Sequence, residues 1–304
     1  EIYTLSLHDA LPIYYRIAIV LVVLGSLFGS FACAQVWRLR ARQLEVDRRD
    51  GEVVDESEYQ RLKGLLRPVS RDRSECLYCH HQLTWYDLLP ILGWILVGGK
   101  CRYCRKPIGV AELLAEVGLA AAFVLSFFYW PYKFLTVADV GLFSIWLIAL
   151  VLMTILLIYD AKWSLLPFSL NISLIVVGAV FFCIASLQHG VNIMSAGGGL
   201  LLLSGLYLLF SLFGWVGVGD GILGFGLALF LGKWELAFLT LFLANVLGCC
   251  MMIPLMAAKR IGRHARVPFG PFLIVATFIV MMWGNGVINW FFHTSSTSLI
   301  RLML

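Results

Sequence analysis

The sequence predicts an all-α polytopic membrane protein of about eight transmembrane helices, with a small four-cysteine module in one long polar loop. Composition is the first reason. Hydrophobic residues make up 61% of the 304 and charged residues only 13%, against about 25% charged in soluble domains. Run length is the second. Residues 140–159 and 236–258 contain no charge, and each is long enough to cross a hydrocarbon core about 30 Å thick. The third is charge segregation. Of the 23 Lys and Arg, fourteen lie between Arg38 and Lys106 and four more in 259–266. Such clusters mark cytoplasmic loops, so the net charge of +5 points to topology and anionic lipid rather than to nucleic acid.

The elements follow in order. Residues 1–13 (EIYTLSLHDALPI) change register abruptly into the first apolar span and read as a non-native leader, so no functional weight rests on them. The first transmembrane helix occupies 14–36. A polar stretch, 37–112, follows, with a mixed acidic and basic segment at 45–73 and the cysteine module at 76–104. A membrane domain, 113–304, supplies spans near 113–129, 140–159, 166–187 and 193–213. After them come a short Gly-rich span from 220 to 232, then 236–258 and 272–292. With 37–112 in the cytoplasm, alternation returns the chain to that side after spans 3, 5 and 7. The 259–266 cluster then also faces the cytoplasm, and both termini face away.

Cys76-Leu77-Tyr78-Cys79 and Cys101-Arg102-Tyr103-Cys104 are separated by 21 residues. Each pair offers two thiolates from one turn, and four thiolates suit tetrahedral Zn²⁺. A disulfide is the competing reading, which a reducing cytoplasm disfavours. His80 and His81 are alternative ligands in the same segment. A complete Cys₄ shell leaves no open position, so the metal is expected to be structural, fastening a module too small for its own core. Cys33, Cys183, Cys249 and Cys250 lie in apolar spans and read as small packing residues.

After Glu116 the chain has only four acids: Asp139, Asp160, Asp220 and Glu235. Ionisable groups at membrane depth are costly and therefore informative. Asp139 and Asp160 sit at opposite ends of span 3, roughly 30 Å apart at 1.5 Å per residue. Two further crossings bring the chain back to the Asp160 side just before Asp220, and the next carries it away before Glu235. Only Asp160 and Asp220 can meet. Two carboxylates at one site share a proton, so one can activate water while the other polarises a carbonyl. The plainer readings are an N-cap for Asp220 and an ion pair with Lys162 for Asp160. Asp139 and Glu235 read as helix-end acids.

These residues resemble the type IV prepilin peptidases, a family of membrane aspartyl proteases that are often also N-methyltransferases. Gly29-Ser30-Phe31 followed by Arg38-Leu39 is similar to the family's first-helix pattern. Arg73 to Cys76, Trp85-Tyr86-Asp87, Pro90, Gly93-Trp94 and Gly99 to Cys104 resemble its zinc module, with Pro107-Ile108 and Glu116 after it. Asp160 stands seven residues before Pro167, as the first family aspartate stands before its IP or LP pair. Gly217-Val218-Gly219-Asp220 matches the GxGD motif, and Pro268-Phe269-Gly270-Pro271-Phe272 a signature at the last helix. The chain departs from the family at Ile222, where a Lys is common, at Ala161-Lys162-Trp163, and at Ala32-Cys33 after the GSF pattern.

The resemblance implies an enzyme of the bacterial inner membrane with Asp160 and Asp220 catalytic and Cys76, Cys79, Cys101 and Cys104 on zinc. It implies cleavage of the basic leader of type IV prepilins or pseudopilins at the cytoplasmic face. The new N-terminus would then be methylated from S-adenosylmethionine, although no Gly-rich loop after a strand offers a Rossmann-type cofactor site. Glu45, Asp47, Asp50, Asp55, Glu56 and Glu58 are candidate contacts for a basic leader, or simply a solvated loop. The alternative functions are a catalytically degenerate prepilin-binding protein and a non-enzymatic membrane assembly protein or transporter. The sequence gives no oligomeric state.

Overall fold

The computed structural model describes residues 7–66, 73–214, 216–258 and 268–303, with side chains described within 13–291. Residues 1–6 of the presumed leader, and the basic cluster 259–266, lie outside the described residues. The fold is helical, and the described residues form no strand beyond two isolated bridges. Among the described residues seven helices are long and apolar enough to cross a membrane, and an eighth apolar helix is shorter. The expected eight spans are thus seven of full length and one short. Two compact units divide between Phe127 and Phe128.

In the first unit, α1 (Leu7–Arg49) does not stop at Val36 but continues thirteen residues into the stretch expected to be loop. That extension is amphipathic. Ala41 and Leu44 bury against Leu62 of α2 (Glu56–Leu62), with Trp37, Tyr59 and Leu77 around them. Three acids of α1 and α2 pair with bases of the extension: Glu58 with Arg40 at 2.8 Å, Glu56 with Arg48 at 3.5 Å and Glu45 with Arg49 at 2.9 Å. Half of the six acids named as candidate leader contacts thus already have a basic partner. The membrane part of α1 crosses α4 (Val110–Phe128) closely. A Cβ at Gly25 would fall 2.6 Å from the Ala120 Cα, and one at Gly29 2.6 Å from the Glu116 Cα. This small-xxx-small contact is a packing reason for the glycine of the GSF pattern. Beside it, the buried Glu116 carboxylate accepts the Ile91 N–H at 2.7 Å, just ahead of the short α3 (Leu92–Leu96).

The second unit is built on α5 (Val137–Trp163), whose Trp146, Leu142, Leu156 and Tyr159 are completely enclosed. Thr136 and Asp139 close its N-terminus in a capping box. α6 (Phe168–His189) returns antiparallel to it, and His189 Nε2 meets Asp139 Oδ1 at 3.0 Å. Asp139 is therefore a helix-end acid at the end of α5 opposite Asp160. On the outer face of α6, Phe168, Ile172, Val176 and Val180 form an exposed apolar stripe, the face a polytopic protein offers to lipid. Cys183, Cys249 and Cys250 are also exposed, so only Cys33 fits the packing role expected of all four.

The fifth span is α7 (Ile193–Leu200), a π turn at Leu201–Gly205 and α8 (Leu206–Leu212). It packs on α9 (Val218–Leu231), the short eighth helix. Fourteen residues rise only about 21 Å, too little for the whole core. The short helix is tolerated because it is inside the bundle. Its glycines make room: a Cβ at Gly221 would meet Leu208 at 2.7 Å, and one at Gly224 would collide with the Leu203 carbonyl. α10 (Trp234–Ala257) and α11 (Gly270–Met303) complete the unit as an antiparallel pair.

Candidate active site

Asp160 lies in the last turn of α5 and is 4% exposed. Its Oδ2 accepts the backbone N–H of Gly270 at 2.9 Å. Lys162, the partner expected on the simpler reading, instead holds its ammonium 5.8 Å from the centre of the Trp163 ring. A Cβ at Gly270 would come within 2.7 Å of Asp160 Oδ2. The glycine between the two prolines of the 268–272 motif thus lets the main chain touch this carboxylate. We predict that Gly270→Ala, which displaces the carboxylate by a few tenths of an ångström, lowers turnover roughly ten- to a hundredfold. Turnover equal to that of the unaltered chain would remove this role.

Asp220 is the third residue of α9, one turn from an N-cap supplied by Gly217. The N-cap reading is therefore displaced by three residues. The carboxylate reaches back to the Gly217 backbone amide, as the third residue of a capping box does, and Asp160 lies within its electrostatic reach. The registers of the helices explain the meeting. Gly219 packs on Leu166 and Gly226 on Leu174, so α9 runs parallel to α6 and begins on the side where α5 ends. The four acids sort as topology required: Asp160 and Asp220 together, Asp139 at the far end, and Glu235 in the first turn of α10.

Three neighbours of the pair carry no local sequence signal. Tyr207, 4% exposed, lies within electrostatic reach of Asp220, and its ring packs 5.4 Å from that of Phe269. Ser204, in the π turn, donates to the Gly221 carbonyl at 2.9 Å and steadies the residue after Asp220. Leu223 packs against the Gly270 position. Ile222, the departure from the family pattern, is half-buried on the same helix.

In the first unit the two cysteine pairs form matching knuckles. Cys76 N–H donates to the His81 carbonyl and His80 N–H to the Cys76 carbonyl; Cys101 and Arg105 repeat the pattern with Lys106 and Cys101. His80 and Arg105, at the equivalent place in each, both have left-handed backbone, with φ of 54° and 59°. The four sulfurs lie within 4.8 Å of one another, Cys76 and Cys104 at 3.8 Å. That spacing is the edge of a tetrahedron with Zn–S near 2.3 Å, about 3.8 Å, so the donor set fits the metal. Burial pushes the Cys76 thiol up to about 12. At Cys101 burial also raises it, but the Cys104 and Tyr103 backbone amides outweigh this and bring it to about 7. His80 is taken up by Glu75 at 3.1 Å and His81 stacks on Tyr103, so neither joins the cysteines. Asp87 bridges Thr84 and Arg102; these hold its carboxyl below the usual range although burial opposes them.

Comparison with known proteins bears on both units. The bacterial peptidase A24 N-terminal domain matches residues 23–130, and the type IV leader peptidase family matches 146–253. A prepilin leader peptidase/N-methyltransferase of Aeromonas hydrophila is 30% identical over 94% of this chain and 97% of its own. The chain belongs to the prepilin leader peptidase family. Members named in the same way from Pseudomonas aeruginosa and Pseudomonas putida are 29% and 31% identical, covering 88% and 87% of this chain and 90% of each relative. No solved structure matches the chain. Membership of this family agrees with the multi-pass helical fold. The Asp139–His189 pair supplies an internal control. Asp139→Asn is expected to lower stability and leave processing per folded molecule unchanged; a loss of processing like that at Asp160 would contradict a purely structural role for Asp139.

Proposed function

We propose that this chain is a membrane-embedded aspartyl endopeptidase of the bacterial inner membrane, with Asp160 and Asp220 as its catalytic carboxylates. Its substrates are type IV prepilins or pseudopilins, and the cut removes the basic leader at the cytoplasmic face. The observation that carries this reading is the approach of these two acids, alone among the four beyond Glu116. One carboxylate, ionised, takes a proton from water as the water oxygen attacks the scissile carbonyl. The other, protonated, hydrogen-bonds the carbonyl oxygen. Collapse breaks the C–N bond, and a proton passes to the leaving amine. The Gly270 N–H keeps one oxygen of Asp160 oriented throughout.

In this reading 1–13 is a non-native leader, 14–36 the first span, 37–112 the cytoplasmic segment and 113–304 the protease domain. Cys76, Cys79, Cys101 and Cys104 hold a structural zinc ion that supplies folding energy and no step of the cleavage. The relatives' names carry a second activity. We extend it to this chain as methylation of the new N-terminal amine, with S-adenosylmethionine as donor and with no residues assigned to that cofactor. Ile222 keeps a degenerate, prepilin-binding member as the competing reading. Co-expression with a prepilin-like precursor separates the two: leader loss supports the enzyme, and an intact precursor bound to the chain supports the alternative.

A further inference from the structure

Asn171 is 1% exposed, yet neither its side-chain nitrogen nor its oxygen has a hydrogen-bond partner. An unpaired amide in an apolar interior is costly and calls for an explanation. Its position is fixed from two directions. The parallel packing of α6 on α9, Leu166 against Gly219 and Leu174 against Gly226, sets Asn171 level with Leu223. That is one helical turn deeper than Asp220. The antiparallel pairing of α5 and α6 is tied at the far end by Asp139 and His189 and closed at the near end by Ser164 to Pro167. It sets Asn171 level with the last turn between Leu157 and Asp160. Phe168 and Ile172 beside it face outward, 65% and 40% exposed, while Leu174 faces inward with it.

We propose that Asn171 is a substrate contact whose carboxamide receives the substrate main chain on the apolar-helix side of the scissile bond. The proposal rests on the leader-peptidase reading, in which the leader stays at the cytoplasmic end and the residues after the cut descend into the bundle. A peptide bond under attack must leave its helix, which frees N–H and C=O groups that an apolar interior cannot satisfy. A carboxamide presents a donor and an acceptor together. A position within a turn of the two carboxylates, on the inner side of Asp220, is where the first residues after the cut would need them.

The test uses the full chain in bilayers with synthetic precursors in which one peptide bond after the cut is replaced by an ester. Asn171→Leu removes an unsatisfied group, so its melting temperature stays equal or rises, while kcat/KM falls about ten- to a hundredfold. With the unaltered chain, an ester at one of the first four positions costs a similar factor; with Asn171→Leu it costs nothing further. Three results would overturn the contact: unchanged processing by Asn171→Leu, stability that falls in step with activity, or no ester position that couples to the residue. If the unaltered chain cleaves no precursor, the leader-peptidase reading fails and this contact with it.

Discussion

Asp160→Asn and Asp220→Asn will each reduce leader removal by at least about a thousandfold, and the double substitution will be no worse than either single one. The size follows from roles that cannot be shared. An amide can neither take the proton from water nor return one to the leaving amine, and acid–base participation contributes about 10²–10⁴ in rate per group. Groups acting as one unit also lose their effect together rather than additively. Both variants should remain folded, because an amide of nearly the same shape replaces each acid. Asp160→Asn keeps an acceptor for the Gly270 N–H at 2.9 Å. Quantitative immunoblots of membranes for precursor and product, beside the melting temperature of each variant, check both halves. Losses that multiply in the double variant would point to two separate effects.

Cys101→Ser will abolish stoichiometric metal binding and open the 73–110 module to proteolysis. Cys101 is the most buried of the four ligands, 4% exposed, and the knuckle hydrogen bonds of its own main chain depend on it. Structural zinc contributes on the order of 10–16 kcal/mol of apparent folding energy in small modules. The described module has little to replace it, since among its cysteines and aromatics Trp85, Tyr78 and Tyr103 are all exposed. Metal analysis of the purified chain together with limited proteolysis checks the prediction. A Cys101→Ser chain retaining one equivalent of zinc would contradict the ligand set.

How much of this was legible in the sequence depended on whether the signal was local. The spans, the cysteine pairs and the meeting of Asp160 with Asp220 all followed from run length, spacing and alternation. The helical continuation of α1 to Arg49 did not, because 37–49 is rich in charge and its apolar stripe through Trp37, Ala41 and Leu44 is narrow. The short α9 was marked in the sequence only by its length and its glycines. Its burial explains it: glycines that weaken an isolated helix are what allow Leu203 and Leu208 to approach. The partner of Asp160 could not be read at all, since Gly270 is 110 residues away and a main-chain N–H leaves no mark on composition. The same holds for Tyr207, Ser204 and Asn171, whose importance lies in what they are packed against.

The most direct test of the central claim is the intact mass of the products formed when the purified chain, in bilayers, meets a precursor with a basic leader and an apolar helix. The account predicts two fragments from the unaltered chain, divided by a single hydrolysis between leader and helix, and intact precursor from the Asp160→Asn, Asp220→Asn double variant. Cleavage by the double variant, or no cleavage by the unaltered chain, would contradict it.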